Sequence, residues 1–451
     1  MNHAYHRLSH DAFAALANGG GSDAISELAA AEYSKHVILL RGVLTAAEDR
    51  AAKNSAGENS EQYERARTGY DLLAAALRQN RAAAEKVIAY PTVGTWARRT
   101  ILACRGAQAP AGATPEMMCA VGAAAAIRAG LSAQIELSAI GGKVALPTLG
   151  AAHVPGPEAR APGHRVLVRT GGGSAMVGTV EIPEDPHRDA PGWSGLRRVR
   201  VGQLDVLIDD LDPFRMPDLT DLAPRQDAAA AGLGKSSAEP WDAALLAAWR
   251  VLKQHHPTVA AEAATAVSAI VPRSRPASGE VSTSSAEAFG AIALSLPPDP
   301  VTFAVTITHE MQHLKLGALL DVVTLTQPDD GRRYYAPWRD DPRPLYGLLQ
   351  GAYAYLGVSG FWRRQRALSA DDRLADVEYA RWRVAAARAV ETIRSSGRLT
   401  DAGLEFTAGM ARTLNAWCEE SLPEHAETVA RREADAHQDQ WQSANGPIPV
   451  Y

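Results

Sequence analysis

Cysteine is scarce in this 451-residue chain: Cys104, Cys119 and Cys418 are its three, far apart and in no CxxC spacing. That excludes a disulfide framework and a zinc knuckle and suits a reducing compartment. Long apolar runs are missing as well. The longest, around Met117 to Ile127, is broken by Arg128 well short of a membrane span, and Met1 to Gly21 has no apolar signal-peptide core. Neither sign of charge dominates, and a formal net charge of -5 gives no reason to expect nucleic acid as a partner. Together these absences lead us to expect a soluble cytoplasmic protein with no membrane association. The 46% hydrophobic content is enough for one large core or two.

Four segments separate by texture. Residues 1–133 read as a helical N-terminal region, Ala-rich and periodic at Leu28, Tyr33, His36, Val37 and Leu40 and again at Tyr70, Leu73, Ala76 and Leu77. Residues 134–217 change to short β-prone runs punctuated by Gly and Pro, which predicts a small sheet or barrel-like insert. Residues 218–240 are small, polar and Pro-flanked and read as a linker or surface loop. Residues 241–451 are mostly helical. The expected class is α+β, predominantly helical, with a small β-rich insert and a zincin-like metal helix in the C-terminal half.

That metal helix is the most specific feature of the chain. His309-Glu310-Met311-Gln312-His313 is an HExxH motif, in which two imidazoles one helical turn apart can close on a single ion. Asp299 fits an N-cap, Pro300 the first helical position, and Phe303, Ile307, Met311, Leu314 and Ala318 recur at helical spacing. Imidazole nitrogens presented this way suit zinc, ferrous iron, cobalt or nickel, with at least one further ligand required. Upstream, Ser284 to Leu296 could form a strand that docks an extended peptide by main-chain hydrogen bonds, as in zincin-type peptidases, or else a buried core element. Downstream, residues 334–344 (YYAPWRDDPRP) hold Arg339 and Arg343 in a stiffened loop. Those arginines either grip a dicarboxylate or pair with Asp340 and Asp341 on a surface turn. The next helix, Leu345 to Val358, has small residues Gly347, Gly351, Ala352 and Ala354 that permit close approach of another helix. Gln350 is its polar residue best placed to meet the metal.

Other patterns carry less. Gly171-Gly172-Gly173-Ser174 lacks the GK[ST] ending of a phosphate loop and reads as a hairpin turn. Asp209, Asp210 and Asp212 read as a solvated turn, and His255-His256 as helix surface. His425 and His437 lie in what reads as an exposed helix face.

Two chemistries compete for the motif. In one, zinc holds a water, Glu310 takes its proton, and the hydroxide attacks a peptide carbonyl. The metzincin extension is absent, since Leu320 stands where its last His belongs, and the nearest downstream Glu is Glu378, with Arg381 as a helical i,i+3 partner. In the other, ferrous iron occupies the same place and leaves positions free for a 2-oxo acid and dioxygen. A third possibility is a non-catalytic peptide-binding accessory protein.

The segments Thr308 to Leu316, Ala336 to Pro344 and Gly347 to Ala354, with the N-terminal Leu28 to His36, resemble the HExxH-domain family of peptide-modifying proteins. Members occur alone or fused behind cyclophane-forming radical-SAM maturases in peptide natural-product clusters. The resemblance runs over roughly residues 8 to 420 and is most specific between 284 and 360. It implies an iron(II)- and 2-oxoglutarate-dependent dioxygenase that β-hydroxylates a ribosomally made precursor peptide, with a radical-SAM maturase as a possible pathway partner. It further implies that His309 and His313 bind Fe(II), with Gln350 as third ligand, and that Arg339 or Arg343 holds the 2-oxoglutarate carboxylate. Glu310 would then orient a ligand or bound water instead of acting as a hydrolytic base.

Overall fold

The computed structural model describes residues 7–21, 23–53, 57–108, 110, 112–161, 163–215, 235–276, 279–369 and 372–448, with the backbone alone for 235–239. In chain order these form α1 (His10–Ala17), α2 (Ala24–Lys53), α3 (Glu58–Gln79), α4 (Arg81–Ile88), α5 (Pro91–Cys104) and α6 (Met118–Ala129). Nine strands follow: β1 (Ala133–Ser138), β2 (Lys143–Leu146), β3 (Gly150–His153), β4 (Arg165–Gly171), β5 (Ser174–Val177), β6 (Val180–Ile182), β7 (Trp193–Gly195), β8 (Arg197–Val201) and β9 (Leu204–Ile208). Then come α7 (Lys235–His255), α8 (Pro257–Ala266), β10 (Ala269–Arg273), β11 (Ser282–Thr283) and β12 (Ala291–Ser295). The chain closes with α9 (Pro300–Leu320), α10 (Leu345–Arg366), α11 (Arg373–Ser395), α12 (Asp401–Cys418) and α13 (Glu424–Asn445). With 57% helix, 14% strand and three small sheets among the described residues, the fold is α+β and predominantly helical. Of the stretch expected to be a linker, residues 218–234 lie outside the described residues. From Lys235 onward the backbone is helical, and Pro240 falls inside α7.

Two compact units divide the chain. One comprises Glu32–Asp242 and Val267–Leu296, the other Met1–Ala31, Ala243–Ala266 and Pro297–Tyr451. This division runs across the segments distinguished by texture, because a unit is defined by which residues pack together and texture reports only local periodicity.

In the first unit, α3 and α6 approach closely at two glycines. A Cβ on Gly69 would collide with the Met118–Cys119 backbone, and one on Gly122 with the Gly69 carbonyl. α6 ends at Gly130, whose φ of 67° is the left-handed cap that glycine takes at low cost. The sheets are β1-β4-β5-β6 and β2-β3-β7, both antiparallel, and a mixed sheet in the order β11-β12-β10-β9-β8. The β4–β5 hairpin turns on Gly172 and Gly173, with φ of 64° and 83°, as the Gly-rich run predicts. The β8–β9 hairpin joins its sheet through parallel pairing of β9 with β10. The strand expected within Ser284 to Leu296 is β12, buried along its whole length. It pairs parallel with β10 on one edge and antiparallel with β11 on the other, so both of its edges make ladder bonds within the sheet. β12 is thus the buried core strand that the sequence offered as the alternative to peptide docking, with Ala293 and Leu294 of its outer edge paired to β11.

The Asp209–Asp212 stretch corrects another expectation: it is buried, not solvated. Asp209 is 0% and Asp212 4% exposed. Asp209 accepts from Tyr90 Oη at 2.7 Å and from the Asp212 amide at 2.9 Å, and Asp212 accepts from Thr92 Oγ1 and the Phe214 amide, both at 2.8 Å. Removal from water, then the neighbouring Asp209 charge, pushes the Asp212 carboxyl up to about 7.

The second unit is built around α9 and α10. α9 is buried over most of its surface, from Phe303 and Ala304 to Glu310, Gln312 and Lys315, while Thr302, Thr306, His309 and His313 make a half-buried face. α8 packs on α9, α11 and α12 pack on α10, α13 packs on α11, and α1 packs on α12. Lys315 Nζ donates to Glu262 Oε2 at 2.9 Å, a buried ion pair that ties α9 to α8. His256, expected on a helix surface, is buried and stacked on Phe361 with ring centroids 4.0 Å apart. Among the described residues no helix is long and apolar enough to cross a membrane.

The Asp212 carboxyl generates a pH prediction. Folded, it keeps its proton up to about pH 7, whereas an unfolded aspartate loses it near 4, so its contribution to stability falls as pH rises through that window. Asp212→Asn removes this dependence. The stability of the variant relative to the parent chain should therefore rise between pH 4.5 and 8, by on the order of 4 kcal/mol at most. Denaturant titration at both pH values checks this, and a pH-independent difference would refute it.

Candidate metal centre

The motif histidines sit where local sequence puts them. Asp299 caps α9 by accepting from the Val301 and Thr302 amides at 2.8 and 2.9 Å, and Pro300 follows at the first helical position. From that start the helix turns His309 and His313 onto one face. Their Nε2 atoms are 3.1 Å apart, and the rings meet edge to face with centroids separated by 4.8 Å. With metal–nitrogen bonds of about 2.1 Å, that separation corresponds to an angle of about 95° at one shared ion. Burial first, then the neighbouring His313, lowers the His309 pKa to about 4 against the opposing pull of Glu310, so at neutral pH its imidazole is uncharged and able to ligate.

Gln350 comes to the site, but not to the metal-facing nitrogens. Its Oε1 lies 3.1 Å from His313 Nδ1, and its Nε2 donates to Tyr346 Oη at 3.1 Å. Held there, Gln350 accepts the Nδ1–H and leaves Nε2 of His313 as the lone-pair nitrogen. That role is the orientation of a ligand, and the expectation of direct ligation is revised accordingly. Glu310 is 1% exposed, and its charge acts on both His309 and Tyr355.

The loop carrying Arg339 and Arg343 is closed by a pair of backbone bonds between Tyr334 and Arg343, at 2.8 and 2.9 Å. Both arginines reach one carboxylate: Arg339 Nε donates to Asp341 Oδ1 at 2.6 Å and Arg343 Nη1 to Oδ2 at 3.1 Å. Burial alone would raise the Asp341 pKa, but these two hydrogen bonds hold it below the ordinary carboxylate range. Two of the four small residues of α10 serve this loop, while Ala352 and Ala354 are fully buried. Gly351 gives room to the Trp338 indole and Gly347 to the Arg343 guanidinium, where helix-to-helix approach was expected.

An aromatic column unmarked by any motif stands beside the histidines. Tyr355 is stacked between Trp338 at 4.7 Å and Trp382 at 4.1 Å, and meets His309 edge-on at 5.4 Å. Burial pushes the Tyr355 hydroxyl up to about 12, so it stays protonated. Arg381 caps the column 4.3 Å from the Trp382 ring. Helical arithmetic could have found part of it, since Tyr355 lies in α10 and Trp382 four residues after Glu378 in α11. Glu378 itself accepts from Trp382 Nε1 at 2.6 Å, while Arg381 pairs with Glu433, replacing the expected Glu378–Arg381 pair. His437 receives the Tyr335 hydroxyl at 2.9 Å.

Among the described residues, no three His, Cys, Asp or Glu side chains are grouped to hold an ion. The donors that the motif offers a metal are two imidazoles, one of them oriented by an amide. No protein-family model matches the chain, and no curated protein matches it significantly.

This arrangement separates ligand from orienter. His309→Ala and His313→Ala should each abolish cobalt(II) binding measured by equilibrium dialysis, whereas Gln350→Ala should weaken it by about 10- to 100-fold. Complete loss in Gln350→Ala would make the amide a ligand after all.

Proposed function

We propose that the chain is an iron(II)- and 2-oxoglutarate-dependent dioxygenase that β-hydroxylates a ribosomally made precursor peptide in the cytoplasm. The observation that carries this reading is the convergence of the His309 and His313 Nε2 atoms at 3.1 Å together with a loop in which Arg339 and Arg343 share one carboxylate. Hydrolytic zinc sites and facial-triad iron sites alike ordinarily take three protein ligands, so the choice of iron rests on the paired guanidiniums of Arg339 and Arg343, which suit the carboxylate of an oxo acid. Fe(II), when bound with 2-oxoglutarate and dioxygen, supplies the oxidation that replaces a substrate Cβ–H by Cβ–OH.

The chain's own residues would position and shield that chemistry. His309 and His313 offer their Nε2 lone pairs, and Gln350 keeps the His313 proton on Nδ1. Arg339 and Arg343, now sharing Asp341, are a guanidinium pair able to take the free carboxylate of the oxo acid. Trp338, Tyr355 and Trp382 form an apolar wall that keeps water from the histidine face. Glu310, buried and adjacent to His309 in the chain, would hold a ligand or a proton there. A radical-SAM maturase acting on the same peptide is the pathway partner that this reading carries.

Two measurements test it. Ferrous iron and 2-oxoglutarate added under argon to metal-free protein should give a weak visible charge-transfer band that needs both components and is lost in His309→Ala. Arg343→Leu should require at least tenfold more 2-oxoglutarate to develop the same band, with iron binding unchanged. No band alongside tight binding of one equivalent of zinc would favour a metallopeptidase, which shortens its peptide where a hydroxylase adds one oxygen atom.

A further inference from the structure

The first unit holds a cavity of its own, of about 550 Å³, lined by the end of α6, the β4–β5 hairpin and the turn after β6. The wall residue that stands out is the half-buried Arg128, in the last turn of α6. Its Nε donates to Thr148 Oγ1 at 2.6 Å and its Nη2 to the Thr148 carbonyl at 2.8 Å. Thr148 is buried with φ of 70°, and among the described residues it is the one non-glycine residue with a positive φ. A β-branched side chain rarely takes that conformation, and strain of this kind persists where the surrounding structure holds a residue to a task. Here that residue turns both of its oxygens to one side of a guanidinium.

The other side is open. Two of the five guanidinium N–H groups go to Thr148, and the three that remain lie on Nη1 and Nη2, whose outer edge is a fork matched to a carboxylate. Among the described residues nothing accepts from that edge, and no carboxylate is within ion-pair distance of it. Nor is the edge sealed. Arg197 and Arg273 have unpartnered nitrogens closed to solvent, whereas no nitrogen of Arg128 is closed and unpartnered.

Charge narrows the class of ligand. Asp205, whose charge acts on Arg128, is gripped by Nε and Nη2 of Arg198, so the second arginine on the wall is already matched. His187, also on the wall, gives its Nδ1–H to the Leu196 carbonyl at 2.8 Å. Burial, opposed by that bond and reinforced by Arg128 and Arg198, lowers its pKa and keeps it neutral at neutral pH. The cavity therefore carries one guanidinium charge without a matching anion. At its mouth Glu184 and Asp185 are exposed, and a second negative charge on a ligand would be repelled there. Ile127, Leu149, Ile182 and Pro183 supply an apolar wall.

We propose that this cavity binds a small organic monocarboxylate, with the carboxylate on the free edge of Arg128 and a hydrocarbon body against the apolar wall. The site is independent of the metal and of the hydroxylase reading. The test is a saturation-transfer NMR titration of the full chain at low ionic strength with benzoate, using benzamide as the uncharged control and terephthalate as the dianion. Benzoate should bind saturably with a millimolar or tighter dissociation constant, benzamide at least about tenfold and terephthalate at least about threefold more weakly. Arg128→Met, which removes the fork, should weaken benzoate at least about tenfold, and Glu184→Lys at the exposed mouth should tighten it at least about twofold. Arg343→Leu should not alter benzoate affinity. Should Arg128→Met fail to fold, Glu184→Lys decides alone, because its position is on the surface. Absence of saturable binding, equal binding of either control, affinity unchanged in the folded Arg128 and Glu184 variants, or loss of binding in Arg343→Leu would overturn the proposal.

Discussion

Most of the chemistry in this protein depends on one constraint: α9 is buried over most of its surface, with its His309–His313 face half-buried, and yet it is not uniformly apolar. Each buried polar residue it carries must find its partner within the surrounding packing. On one face His309 and His313 face each other and Gln350; on another Gln312 and Lys315 meet the Gly19 carbonyl and Glu262. A helix in this position cannot rotate or slip without exposing one set or stranding the other. The Lys315–Glu262 pair, whatever its net energy, therefore acts as a register pin for the imidazoles one turn away.

The neighbour α10 answers α9 by being narrow. Gly347 and Gly351 lower its surface where the loop crosses, so that an indole and a guanidinium lie almost on the helix backbone. Tyr355, one turn beyond Gly351, receives Trp338 on one face and Trp382 of α11 on the other. Loop, α10 and α11 are thus joined by one column of rings, and the edge of His309 touches its centre. The order of this region comes from ring stacking and glycine relief more than from hydrogen bonding.

How much of this could be read in advance differs by element. The metal helix was legible to its cap, because Asp299, Pro300 and the HExxH spacing are local signals that need no tertiary partner. The predominance of helix and the Gly172–Gly173 turn were legible for the same reason. Asp209 and Asp212 were not, because an acidic cluster looks solvated until Tyr90 and Thr92, some 120 residues earlier, are folded against it. Gln350 was recognised as belonging to the site, but which side of an imidazole it would meet depends on the packing of α10 against α9. The strand at Ala291–Ser295 was foreseen, but its neighbours β10 and β11 were not, and an edge can be judged free only when its neighbours are known. The resemblance drawn from the motifs suggested an activity, and the two convergent imidazoles and the paired arginines are the physical observations that support it.

Asp341 has a further consequence for any carboxylate that approaches this loop. It stands two residues from each arginine, so its effective concentration at the guanidinium pair is about millimolar or higher, as for any group on a short tether. A freely diffusing monocarboxylate below that level loses the competition. A molecule already anchored at a second point, such as through two donor atoms on a nearby ion, gains the same tethering advantage and can displace the internal group. Asp341 thus works as a threshold that favours two-point ligands over one-point ligands, a selectivity that neither arginine could provide alone.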